Sequence, residues 1–176
     1  MSDLSAGFSE PPRRSKVPKF RWIAVIGVPL AAILFQVYVP RFFTYLAYLE
    51  MPLLVTVYFS LRRRSPPFGV VLGMCIGLAQ DSLSSHPLGM FGIVKTLVGY
   101  FAASVSQRFE GSSALLRLVL AFFFFFFHQF FYWMLSRALL GEAVSFEPVE
   151  TLVLAILNAV VAVPLFRILD KLDVTD

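Results

Sequence analysis

Six apolar stretches, each close to the length of a membrane-spanning helix, constrain this chain more than any other feature of its sequence. A transmembrane helix needs about 20 predominantly apolar residues, and 58% of the 176 residues are hydrophobic whereas 15% are charged. The predicted spans cover residues 22–39, 45–61, 67–84, 88–106, 114–138 and 149–168. The sequence therefore predicts an all-α integral membrane protein with no room for a separate soluble domain.

The second predicted span is the least regular of the six, because Glu50 and Pro52 interrupt it. Arg41, Tyr45 and Tyr48 precede it and are typical of a segment at the headgroup level of a bilayer. Pro52 is predicted to lie in the first turn of this helix, where its missing N–H group needs no partner.

The basic residues predict that both chain termini are cytoplasmic. With the N-terminus inside, twelve of the fifteen Lys and Arg residues fall on the cytoplasmic side, while Arg41 and Arg137 fall outside and Lys95 lies within a span. The predicted organisation comprises a flexible basic cytoplasmic tail (1–21), a six-helix membrane domain (22–170) and a short cytoplasmic C-terminus (171–176).

Small residues recur at helical spacing in the third and fourth predicted spans. Gly69, Gly73 and Gly77 share one helical face, and Asp81 continues that face for one more turn. The fourth span carries a second set of small residues, which includes Gly89, Gly92 and Gly99. Glycines at this spacing let helix backbones approach closely in a membrane. Because a tight turn joins the two spans, they are predicted to run antiparallel as neighbours.

Asp81 and Lys95 are costly within a membrane span unless each is paired, hydrated or used as a cap. An ion pair between them is the favoured prediction, because the Lys95 stem can reach outward, and Glu50 is the competing partner. Two interpretations stay open: a structural pair that fixes the hairpin, or polar contacts to a ligand or partner.

Six consecutive phenylalanines, 122–127, occupy the fifth span and precede His128. Asn158 of the sixth span is expected at a similar depth, so a hydrogen bond between His128 and Asn158 is predicted, worth about 1 kcal/mol. A structural role is favoured for this pair over a proton relay.

Arg62, Arg63 and Arg64 adjoin a membrane helix, so anionic lipid headgroups are their predicted partners rather than nucleic acid. The single cysteine, Cys75, excludes an intrachain disulfide. The sequence carries no recognisable catalytic motif, and we predict no enzyme activity, cofactor or metal site.

The segment from Met51 to Phe109 resembles the rod shape-determining protein MreD family of bacteria. The matching residues are Gly73, Gly77, Leu78, Asp81, Leu88, Gly89, Gly92, Lys95, Thr96, Gly99 and Tyr100. The resemblance implies a multi-pass inner-membrane protein that binds MreC, a single-span protein with a periplasmic domain. Through MreC it implies membership of the elongation machinery with MreB, the glycosyltransferase RodA and its transpeptidase partner, in support of peptidoglycan synthesis and rod cell shape.

The same family looks like the substrate-binding components of energy-coupling-factor transporters, which share a six-helix fold. A vitamin-binding transport component is therefore the rival hypothesis, in which Glu50, Asp81, His86 and Lys95 would line an outer pocket. The short outer loops offer few ligand-binding groups, and this favours the scaffold. The sequence leaves open whether the chain forms a homodimer.

Overall fold

The computed structural model describes residues 19–20, 22–84, 87–108, 113–141 and 145–174. Within these ranges two 3-10 helices, Val39–Arg41 and Thr44–Tyr48, connect the first two α-helices. The six α-helices are α1 (Trp22–Tyr38), α2 (Met51–Arg63), α3 (Pro66–Leu83), α4 (Met90–Ser106), α5 (Ala114–Leu139) and α6 (Pro148–Asp170). The predicted all-α class with six helices is confirmed for the described residues.

Four helical segments are long and apolar enough to cross a membrane, within the part of the chain that the structure describes. These segments are Ile23–Arg41, Thr44–Arg63, Ala114–Leu139 and Pro148–Asp170. The segment Met90–Ser106 is apolar but shorter. The chain is therefore a multi-pass membrane protein, as its hydropathy predicts.

Proline residues mark where several of the helices begin. Pro52, Pro66 and Pro148 each occupy the first or second position of a helix, where a backbone N–H would have no partner within the helix. The prediction for Pro52 is thus confirmed. The second predicted span is corrected at its start, because the chain leaves helical geometry at Leu49 and Glu50 before α2 begins.

Helix α2 is the centre of the bundle. Nine consecutive residues, from Pro52 to Ser60, are buried, so the helix is covered on every face. It packs against the other five α-helices. A short helix that is apolar all round is expected in such a position, because protein rather than lipid surrounds it.

The two ends of the described chain meet. Two-residue strands β1 (Lys19–Phe20) and β2 (Asp173–Val174) pair in antiparallel register, just before α1 and just after α6. Residues 1–18 and 21 of the predicted tail lie outside the described residues, so its flexibility stays a prediction.

Candidate functional site: a glycine seam and a buried polar cluster

The backbones of α3 and α4 touch along one seam. Three glycines of α3 each face a backbone carbonyl group of α4, in the pairs Gly69 with Gly99, Gly73 with Lys95, and Gly77 with Phe91. A Cβ atom on any of the three would overlap the facing carbonyl group. This glycine seam is the close approach that the glycine spacing predicts, and it uses the small-residue face of α3 inside the molecule.

The start of α4 depends on two further glycines. Gly89 precedes the helix with a φ of 97°, a conformation that L side chains rarely adopt. A Cβ on Gly92 would press against the Leu78 side chain. These positions let the chain turn tightly from α3 into α4 and keep the two helices together.

Asp81 closes this turn by capping α4. Its carboxylate accepts hydrogen bonds from the backbone N–H groups of Gly89, Phe91 and Gly92, at 2.9, 3.2 and 3.1 Å, and the residue is buried. A carboxylate at a helix N-terminus satisfies N–H groups that lack partners and complements the helix dipole. The charge of Asp81 is therefore stabilised by the backbone of the helix that follows it.

The favoured ion pair between Asp81 and Lys95 is wrong, and the competing partner is correct. The Lys95 Nζ atom lies 3.7 Å from a carboxylate oxygen of Glu50, at the start of α2. Asp81 is held by the first turn of α4, whereas Lys95 lies in its second turn and is directed towards α2 and α5. Sequence spacing places Asp81 within reach of the Lys95 stem but does not fix these directions.

Lys95 is the centre of a buried polar cluster. It is 0% exposed although it is one of the longest side chains. Its Nζ atom lies 3.4 Å from Nε2 of His128 and 4.3 Å from the centroid of the Phe91 ring. A carboxylate, an imidazole and an aromatic face thus surround one ammonium group, which compensates part of its desolvation.

His128 packs beside two aromatic rings and makes no hydrogen bond to Asn158. Its ring stacks on Phe91, with centroids 5.8 Å apart, and lies 6.5 Å from the ring of Tyr132. The predicted hydrogen bond between His128 and Asn158 is therefore wrong. The two residues lie on adjacent helices, but the His128 imidazole lies beside Lys95 of α4, whereas the Asn158 amide binds backbone groups before α2.

Asn158 instead ties α6 to the irregular backbone before α2. Its Oδ1 atom accepts from the backbone N–H of Glu50 at 2.9 Å, and its Nδ2 atom donates to the carbonyl oxygen of Tyr48 at 2.8 Å and to that of Leu154 at 3.0 Å. The Glu50 N–H and the Tyr48 carbonyl flank the break at Leu49, where no helix satisfies them, whereas Leu154 lies within α6. Asn158 thus substitutes for the missing helical hydrogen bonds.

Sequence reasoning missed Gln36 of α1, which binds the same break. Its Oε1 atom accepts from the backbone N–H of Met51 at 3.2 Å, and its Nε2 atom donates to the carbonyl oxygen of Ala47 at 3.3 Å. A single amide side chain near the end of a predicted span was the available signal. Polar side chains from α1, α4, α5 and α6 therefore converge around the start of α2.

The remaining predicted residues lie elsewhere. Arg62, Arg63 and Arg64 lie at the opposite end of α2, and the guanidinium of Arg63 covers the Phe68 ring at 4.6 Å. Their contact with anionic lipids stays a prediction. His86 lies outside the described residues. In the described ranges no group of three His, Cys, Asp or Glu side chains is placed to hold a metal ion.

These features define a class: a multi-pass helical membrane protein whose buried charges are neutralised by its own helices. A family model described as rod shape-determining protein MreD matches residues 17–172. The chain therefore belongs to the MreD family of rod shape-determining membrane proteins. No curated protein and no solved structure gives a significant match, so the predicted likeness to transporter components stays a prediction.

Proposed function

We propose that this protein is a non-catalytic scaffold of the bacterial inner membrane that binds MreC and thereby supports peptidoglycan synthesis during cell elongation. Membership of a shape-determining family supports this proposal. MreB, RodA and the transpeptidase partner of RodA are the other proteins of the assembly that we expect to associate with it, directly or through MreC.

The observation that carries a scaffold role is that the buried ammonium group of Lys95 lies against side chains of its own chain, Glu50 and His128. Lys95 and His128 are 0% and 1% exposed, and the Glu50 carboxylate is directed at the lysine. A component that captures a small molecule would instead present such groups to a solvent-accessible cavity. Most of the buried apolar side chains of the described residues form one contiguous core cluster, which favours contacts made through the outside of the bundle.

We further propose that all six helices cross the membrane with both termini in the cytoplasm. The pairing of β1 with β2 supports this, because it joins the two chain ends on one side of the bundle. The basic residues favour the cytoplasm for that side. Cysteines introduced singly as Phe43→Cys and Leu172→Cys, in a Cys75→Ser background, test the topology. A membrane-impermeant thiol reagent applied to intact spheroplasts should label the first and not the second, and the reverse pattern would contradict the proposal.

The partner's membrane span needs a face that the bundle itself leaves open. The glycine face of α3 is occupied by α4, but Gly27 of α1 has no atom within 4 Å of the position that its Cβ would take. Ala31, one turn further, is also exposed, and Ile23 and Leu34 flank the two small residues. Small residues at i and i+4 allow a second helix to approach closely. We propose that the single span of MreC lies along this α1 face.

Co-purification of MreC with tagged variants tests this face. Gly27→Leu combined with Ala31→Leu should lower the recovered MreC by about fivefold, which corresponds to about 1 kcal/mol. Cys75→Leu is the matched control, because Cys75 is also exposed within a helix and lies on α3. The control should retain MreC as the unaltered protein does.

The variants must be compared at equal amounts of monodisperse protein in the same detergent. Undiminished recovery of MreC with the α1 double variant would contradict the proposed face. An equal loss with Cys75→Leu would also contradict it, since added volume anywhere on the bundle would then weaken the association.

A further inference from the structure

A groove that is separate from the glycine seam and the polar cluster lies between the start of α5 and the end of α6. It is lined by Ala114 and Arg117 of α5 and by Val163, Arg167 and Asp170 of α6. The groove is at the end of the bundle where β1 and β2 pair, because β2 follows α6 directly. Two arginines therefore line one short groove at a membrane-facing helix pair.

The acidic residue of the groove is already neutralised. Arg117 donates from Nη1 to Oδ2 of Asp170 at 2.6 Å, and the hydroxyl of Tyr58 donates to Oδ1 of Asp170 at 3.0 Å. Both carboxylate oxygens are thus engaged, and Arg117 is fixed with its side chain 15% exposed. Asp170 orients Arg117 and leaves little capacity to bind a cationic group.

Arg167 supplies the positive charge of the groove that Asp170 does not neutralise. It is exposed, and across the described ranges it makes no ion pair or side-chain hydrogen bond. A guanidinium presents several N–H donors in a planar fork that matches two oxygens of a phosphate group. The groove therefore has the charge and donor geometry for a phosphate-containing anion.

An apolar track leads away from this charge along α6. Val163, Val160 and Ile156 lie 4, 7 and 11 residues before Arg167, so they share its helical face. Val160 and Ile156 are 56% and 51% exposed. A free phosphate ion has no apolar part that could contact these side chains, whereas the acyl chain of a lipid could pack against them.

We propose that the groove between α5 and α6 binds an anionic glycerophospholipid, with its phosphodiester on Arg167 and an acyl chain along Val160 and Ile156. Arg117 is a positioning residue, held by Asp170 at the edge of the headgroup. The site is distinct from the Arg62 to Arg64 cluster and does not depend on the binding of MreC. Basic pockets between membrane helices are a recurring mode of recognition for phosphorylated headgroups.

Lipid titration followed by native mass spectrometry tests the proposal on the full chain in detergent. The probe is phosphatidylglycerol, and Arg167→Gln should weaken its binding about fivefold, as expected when one charge near an anionic headgroup is lost. Arg108→Gln is the matched control, because Arg108 is exposed after α4 and does not line the groove. The Arg108→Gln variant should bind phosphatidylglycerol with the same affinity as the unaltered chain.

A second variant tests the contribution of the groove's shape separately from that of its charged residues. Val163→Trp fills the groove without changing a charged residue and should also weaken binding of phosphatidylglycerol severalfold. Each variant is checked for an unchanged melting temperature in lipid-free detergent, so that loss of folding is not read as loss of binding.

Four results would overturn the proposal. Arg167→Gln could bind phosphatidylglycerol as tightly as the unaltered chain, or Arg108→Gln could lose as much affinity, which would indicate a diffuse surface charge. Phosphatidylcholine could bind equally well, which would remove the preference for an anion. Millimolar inorganic phosphate at constant ionic strength could displace the lipid, which would assign the site to a free anion.

Discussion

Two helix pairs that contact α2, α3 with α4 and α5 with α6, are held together in different ways. In the α3 and α4 pair, glycines bring two backbones into contact, so the helices meet without intervening side chains. In the α5 and α6 pair, large side chains of α5, such as the buried Phe124 and Phe125, fill the interior. The residues that α6 buries are mostly small: Thr151, Ala155, Asn158, Ala159, Ala162, Phe166 and Leu169.

This difference predicts different tolerance to substitution. A backbone carbonyl group in a helix cannot move aside, so one added methyl group is enough to separate α3 from α4. Aromatic side chains can adopt other rotamers, and a smaller apolar residue leaves only a partial void. Lys95 is where the two arrangements join, because it lies on the glycine seam and reaches His128 of α5.

The largest loss of unfolding free energy is expected from Lys95→Met, which removes the contacts of Lys95 with Glu50 and His128. The Glu50 carboxylate would remain beside the core without its cation, and removal of one member of a buried ion pair costs about 3 to 5 kcal/mol of unfolding free energy. Unfolding of the purified protein by denaturant in micelles, followed by tryptophan fluorescence, measures the change. Adding Glu50→Gln to this variant should restore part of the loss. A loss below about 1 kcal/mol in the single variant would show that the pair is not a structural link.

The next effect is expected from Gly73→Ala in the glycine seam. The new methyl group would overlap the backbone carbonyl of Lys95, and we expect a loss of about 3 kcal/mol, the upper end for overpacking. Gly27→Ala is the same chemical change at a position with open space, and its stability should be unchanged or slightly raised. Thermal unfolding of both variants in one detergent gives the comparison. Equal melting temperatures would contradict backbone contact between α3 and α4.

The smallest effect is expected in the aromatic region. Phe125→Leu removes part of a side chain that is 1% exposed and should cost about 1 kcal/mol. Phe123→Leu changes a side chain that is 52% exposed and should stay within about 0.5 kcal/mol of the unaltered protein. The same denaturant titration measures both. If Phe125→Leu were as damaging as Gly73→Ala, the contrast between the two helix pairs would fail.

The glycine seam could be predicted from sequence because contact between two helix backbones requires small residues that recur at helical spacing. Gly69, Gly73 and Gly77 recur every four residues, and that spacing alone indicates a shared face. Most helix boundaries followed in the same way from hydropathy, and Pro52 indicated the first turn of α2. These signals are local, so one sequence suffices to read them.

The partners of the buried polar side chains could not be predicted, because they depend on how the helices are placed around α2. Glu50 and Pro52 indicated an irregular second span, yet this segment leads into the central helix. Asn158 and Gln36 bind the backbone at that break, which no spacing reveals. Asp81 was expected to neutralise Lys95 because their depth was estimated without knowing the direction of either side chain.

The most direct test of the scaffold proposal is purification of the tagged protein from its native membranes in mild detergent, with bound proteins and small molecules identified by mass spectrometry. We expect MreC and further elongation proteins in amounts that depend on the open face of α1. Recovery of an ATPase-bearing transport module or a tightly held vitamin, without MreC, would contradict the scaffold and establish a transport component instead.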